Sequence, residues 1–166
     1  DAEGRVAEVA AVVVDMTPER EARARAALLQ AATAALSQAA TPEAVARAAT
    51  GALVGALGAR GAVAASLAVR EPDGVTLRLL SATAHPDGMR EAWSAFPLAT
   101  DVPLAVAART GAVVEAADAG TLFPRWAHLR ETLDALRARA FVALPLRARG
   151  GTGDDAPLGA VAVLFD

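Results

Sequence analysis

Residues 62–84 read AVAASLAVREPDGVTLRLLSATA, and the fold class follows from this stretch. Two runs, 62–70 and 75–84, consist largely of valine, leucine, alanine, serine and threonine, with the β-branched residues that suit a pleated, half-buried surface. Between them stand Glu71-Pro72-Asp73-Gly74. Proline presets a turn dihedral, aspartate can hydrogen-bond its own backbone, and glycine accepts a positive φ. The pattern predicts an antiparallel hairpin.

On the N-terminal side, Thr41-Pro42-Glu43 carries the signal of a capped helix start, and a helix is expected over 42–57 with Gly58 ending it. Val45, Ala49, Ala52, Leu53 and Ala56 make its expected buried stripe. Gly51 and Gly55, one turn apart, either allow close backbone approach or are simply tolerated, at about 1 kcal/mol of helix propensity each. Further back, Thr17-Pro18 with Glu19 and Glu21 predicts a linker helix over 18–38. It carries two apolar stripes, Leu29-Thr33-Leu36-Ala40 and Leu28-Ala32-Ala35-Ala39, one for its own domain and one for a partner chain. A single broad apolar face is the alternative. Residues 5–14, rich in valine, read as a strand.

Beyond the hairpin, Pro86 should open a short helix with Met89, Ala92, Trp93 and Phe96 on one face. A second short helix is expected over 103–109, stopped by Gly111, and then a short strand over 112–115. Pro124 should open a longer helix whose Trp126, Leu129, Leu133 and Leu136 share a face. Two last strands, 140–147 and 158–165, flank a loop rich in glycine and aspartate. Strands and helices mixed in this way predict an α+β domain: a central antiparallel sheet of five or six strands between helical layers.

The composition narrows the chemistry. The 166 residues are 54% hydrophobic and 21% charged, with a formal net charge of -3. That describes a globular protein, neither a disordered polyelectrolyte nor a nucleic-acid binder relying on a basic surface. There is no Cys, Tyr, Ile, Asn or Lys, and all 16 basic residues are Arg, as a GC-rich bacterial genome would give. Without cysteine there is no disulfide, thiolate nucleophile or cysteine-ligated metal, and without lysine no Schiff base or P-loop. The longest uncharged stretch, 26–42, is mostly alanine diluted by polar residues, and the first residues lack the order of a signal peptide. A cytoplasmic location, with no membrane and no nucleic-acid partner, is expected.

In order along the chain come Thr41-Pro42-Glu43-Ala44-Val45, the hairpin, Pro97-Leu98, Val102-Pro103-Leu104, Ala108-Arg109-Thr110-Gly111, Val113-Val114, Ala143-Leu144-Pro145-Leu146 and Leu158-Gly159-Ala160-Val161-Ala162-Val163. With that order, residues 28–166 resemble the GAF family, the small-molecule-sensing and dimerisation domains of bacterial signalling proteins. The resemblance implies a GAF core over 41–166 that lacks the family's usual final helix. Asp1, Gly4, Val6 and Val9, followed by Asp15-Met16-Thr17 and Arg20, resemble the last strand and closing Asp-x-Thr motif of a PAS domain. Residues 1–17 would then be the remnant of one sensor domain and 18–40 a signal helix, with the strand docked on a sheet edge or on another copy of the chain.

The resemblance places a ligand pocket between the sheet and the helices inserted after the hairpin. Trp93, Phe96, Phe123, Trp126 and Phe141 are the candidate walls and Arg109 the candidate anchor for a carboxylate or phosphate. The alternative uses are core filling for the aromatics and, for Arg109, a cation favoured at a helix C-terminus. His85 reads as a turn residue and His128 as exposed. The glycine-rich run at 150–155 has no Lys and precedes a strand, so it is no phosphate cradle. No catalytic, cofactor-binding or metal-binding residue is assigned. Against the resemblance, the absent Asn, Lys and Cys remove the cyclic-nucleotide signature and the bilin-binding and sulfoxide-reducing chemistries. What is expected is a non-catalytic regulatory module of a multidomain protein, with no cofactor, which binds a small molecule, dimerises through the N-terminal helix, or both. A parent histidine kinase or serine phosphatase would carry the output; the alternative is a ligand-free dimerisation and relay scaffold.

Overall fold

The computed structural model describes residues 22, 23, 25–27, 29, 30, 33, 34, 37–148 and 156–166. The strand expected over 5–14, the Asp15-Met16-Thr17 motif and the loop at 149–155 lie outside the described residues. The described residues between 22 and 37 are helical and exposed.

Helix α1 (Pro42–Leu57) begins as its sequence demands: the Thr41 hydroxyl accepts from the Ala44 N–H at 3.2 Å, with Pro42 in the first turn. It ends at Leu57 with Gly58 following, as expected. The chain continues as a 3-10 turn (Gly58–Arg60) and halts at Gly61, whose φ of 87° is the left-handed stop. Ala49 and Leu53 of the expected stripe pack against the core, but the most buried positions are others. Ala46 and Thr50 point inward and Val45 is exposed. Thr50 decides this, because its hydroxyl meets the hydroxyls of Ser81 at 2.8 Å and Thr83 at 2.7 Å across the sheet, a polar anchor that hydrophobic spacing does not register. A methyl group placed on Gly51 or Gly55 would meet nothing within 4 Å, so no close approach uses them.

The hairpin forms as expected. Strands β1 (Ala62–Arg70) and β2 (Thr76–Thr83) pair antiparallel, with a bulge between Leu67 and Ala68. In the turn, Asp73 accepts from the N–H groups of Val75 and Thr76, both at 2.9 Å, and Gly74 has a φ of 73°. Then come α2 (Asp87–Ala92), β3 (Ala95–Pro97), α3 (Pro103–Thr110), β4 (Val114–Ala116), α4 (Ala119–Arg125), a 3-10 turn (Ala127–Leu129), α5 (Arg130–Ala135), β5 (Ala140–Leu146) and β6 (Gly159–Phe165). These strands form one six-stranded antiparallel sheet in the order β3-β2-β1-β6-β5-β4.

Two expectations in this half are corrected. Phe96 lies on β3 and not on the helix with Met89, because α2 ends at Ala92 and Trp93. Pro124 does not open a helix: Asp118 does, its carboxylate accepting from the Thr121 N–H at 2.8 Å, and Pro124 falls in the last turn of α4. A proline there leaves the next segment to restart, which divides the expected long helix into α4, the 3-10 turn and α5.

The sheet separates two apolar layers. On one face Leu67, Val161 and Val163 meet α1. On the other face Ala64, Ala68, Ala143, Ala160 and Ala162 lie in the main core beneath the inserted helices. Alanines here matter: Ala105, Ala107 and Ala108 of α3 are fully buried against β5 and β6, and paired small residues let the helix approach closely. Gly159 takes this furthest, since a Cβ there would sit 2.1 Å from the Ala68 carbonyl oxygen.

Candidate functional site

Close packing of alanines under α3 leaves the larger side chains to fill the neighbouring space beneath α2 and α5, and they leave a void. A cavity of about 120 Å³ lies between the sheet face and these helices. Ser66, Ala162 and Leu164 form its floor, Phe141 one wall, Met89 and Trp93 another, and Leu129, Leu133 and Leu136 its roof. Trp93 and Phe96 meet edge to face, with ring centroids 5.4 Å apart, so one wall is a rigid aromatic corner.

Four polar residues border the cavity: Ser66, His85, Arg90 and Thr132. Arg90 is the exposed one among all the lining residues, which puts the mouth beside α2. His85 is held by the turn that ends β2. Ala84 before it has a φ of 62°, a left-handed conformation that costs a residue with a Cβ about 1–2 kcal/mol. The His85 Nδ1 lies 3.1 Å from the Thr83 carbonyl oxygen. A carbonyl can only accept, so Nδ1 carries the proton and Nε2 is left as an acceptor when the ring is neutral. Burial pushes the pKa of His85 down; the Thr83 carbonyl opposes this and the nearby Arg90 charge adds to it. Burial thus favours the neutral ring.

Trp93, Phe96 and Phe141 thus come together around the cavity, and three other candidate residues lie elsewhere. Trp126 is 2% exposed in the main core, edge to face with Phe141 at 5.1 Å. Phe123 packs beneath the guanidinium of Arg130, 4.0 Å from its ring centroid. Arg109 donates from Nη1 to the Leu98 carbonyl at 2.7 Å, tying the chain after β3 to the end of α3. It borders a separate surface depression with Val75, Thr76 and Pro97. His128 donates from Nε2 to the Asp101 carbonyl at 2.8 Å and is exposed.

Sequence reasoning misses Leu79, Leu133, His85 and Arg90 as site residues. Helical spacing does put Met89 on the correct face, and the alternation of Leu77 and Leu79 along β2 is a signal that points to Leu79; nothing in the sequence marks Arg90. Among the described residues no carboxylate lines the cavity, and no group of three or more His, Asp or Glu could hold a metal ion. Among them, too, no helix is long and apolar enough to cross a membrane.

A six-stranded antiparallel sheet flanked by helices in this way is the GAF-like fold. A GAF domain from a phosphoenolpyruvate-protein phosphotransferase of Coxiella burnetii superposes with a TM-score of 0.65 at 18% identity, over 87% of this chain and 79% of that one. The GAF domain of nlh2 from A. aeolicus, in an inactive state, gives 0.63 at 16% identity, over 87% and 80%. Free methionine-R-sulfoxide reductase from Neisseria meningitidis, in complex with its substrate, gives 0.63 at 14% identity, over 95% and 80%. No protein-family model matches the chain, and no curated protein matches it.

Proposed function

We propose that the chain is the sensor module of a multidomain bacterial signalling protein, a GAF domain that binds a small molecule and dimerises to control an output domain of its parent. The observation that carries this reading is the apolar cavity with a polar rim, the form that small-molecule sites commonly take. Similarity of fold to GAF domains of a phosphotransferase and of nlh2 supports the regulatory reading. The Asp15-Met16-Thr17 motif supports a PAS domain ahead of the signal helix. The methionine sulfoxide reductase shares the fold, but this chain has no cysteine to supply a thiolate nucleophile.

In this reading, filling the cavity shifts α2 and α5 against the sheet, and the sheet passes the change to α1 and the helical residues between 22 and 37. A thermal-shift screen of metabolites tests it. A ligand at a hundred times its Kd should stabilise the fold by about 2.7 kcal/mol, or about 5–10 °C in Tm for a domain of this size. If no metabolite stabilises the chain, the sensor reading fails and the ligand-free scaffold takes its place.

A further inference from the structure

Size, lining and rim together restrict what the cavity can hold. Its volume of about 120 Å³ is well under the roughly 300–1,000 Å³ of pockets for drug-sized ligands. An engineered apolar cavity of about 150 Å³ stays dry and binds benzene. The walls here are of the same kind: leucines, Met89 and the rings of Trp93, Phe96 and Phe141. The aromatic corner offers a face and an edge to a ring placed against it.

A charged group inside would lose its water with little to replace it. Of the polar residues, Ser66 and Thr132 offer neutral hydroxyls and His85 a neutral ring whose Nδ1 already serves the Thr83 carbonyl. The one cation in the lining, Arg90, is exposed and stays at the mouth. An unpaired buried carboxylate or phosphate is strongly disfavoured in such surroundings.

Resting on the sensor reading above, we propose that the cavity takes a compact, uncharged, largely apolar molecule about the size of one six-membered ring, bearing at most one hydroxyl, and rejects carboxylates, phosphates and nucleotides. The hydroxyl, where present, would bond to Ser66, Thr132 or the Nε2 acceptor of His85.

The test titrates the whole chain with toluene, benzyl alcohol, benzoate and cyclic AMP, following the Met89 methyl and Trp93 indole signals by NMR. Toluene and benzyl alcohol should shift both signals, with benzoate at least roughly tenfold weaker, a difference of about 1.4 kcal/mol. Ala162→Leu, which grows into the floor of the cavity, should abolish the shifts without unfolding the protein. If that variant does not fold, the signals of the unaltered chain still locate the site, because Met89 and Trp93 line it and Trp126 does not. Benzoate or cyclic AMP binding as tightly as benzyl alcohol would overturn the proposal and leave the sensor reading standing. No response to toluene or benzyl alcohol also overturns it; the metabolite screen separately judges the sensor reading.

Discussion

Thr50, Gly159 and His85 each put a different kind of constraint on this fold. The Thr50 hydroxyl is fully buried and bonds the hydroxyls of Ser81 and Thr83, so it ties α1 to β2 through groups largely withdrawn from water. Thr50→Val keeps the shape and strands its partners; a loss of about 1–3 kcal/mol is expected by urea denaturation, and a loss under roughly half a kcal/mol would show the network to be dispensable. Gly159 is constrained by space alone. With the Ala68 carbonyl 2.1 Å from the would-be Cβ, Gly159→Ala must push β6 off β1, a backbone that cannot swing aside. More than about 3 kcal/mol, or no folded protein, is expected; a normal unfolding midpoint would refute it. His85 acts through its charge. Its folded pKa lies below the ordinary value of about 6.5, so the unfolded chain takes up the proton first. Its contribution is therefore fully present above about pH 6.5 and is lost as pH falls from there through the folded pKa. Between about pH 7.5 and pH 5.5 the Tm of the native chain should fall more steeply than that of His85→Gln, and parallel slopes would remove His85 as the cause.

At the scale of elements, helix starts and turns show how local chemistry writes structure. Thr41 caps α1 with its own hydroxyl, and Thr41→Ala should cost about 1 kcal/mol in a denaturation midpoint. The same local logic makes the hairpin legible: Pro72, Asp73 and Gly74 hold the turn through bonds to residues close in sequence, and no distant group is needed. Gly111 closes α3 with a φ of 68°, as its place after Arg109 and Thr110 implies. What sequence does not show is anything set by a partner far along the chain. The rotation of α1 depends on Ser81 and Thr83, more than thirty residues away. The division of the 119–135 region turns on Asp118, one carboxylate among several near turns, winning the cap over Pro124. The site is half legible for the same reason. Large aromatics in an alanine-rich chain must cluster in the core, but whether Trp126 fills space or Trp93 borders a void depends on how the inserted helices pack.

On the scale of the whole molecule, the sheet puts the cavity and the candidate partner surface on opposite faces. Beneath the inserted helices apolar groups are well covered. The α1 face is different: Leu144, which pairs with Val161 on that face, is 42% exposed, and Val45 on α1 is 39% exposed. Leu29, in the helical stretch before α1, is 59% exposed. Scattered exposed apolar residues need no explanation, but Val45 and Leu144 lie on α1 and its sheet face, and Leu29 lies in the helix on which one of the two apolar stripes is expected to meet a partner chain. A second copy meeting this side would bury them in an isologous contact, each chain offering the same patch. Light scattering on the chain should therefore give twice the monomer mass, and Leu29→Glu together with Leu144→Glu should shift it to monomer while the NMR response to toluene at Met89 stays unchanged. A monomer before substitution would remove dimerisation from the proposed function, and a dimer that survives both charges would place its interface on another surface.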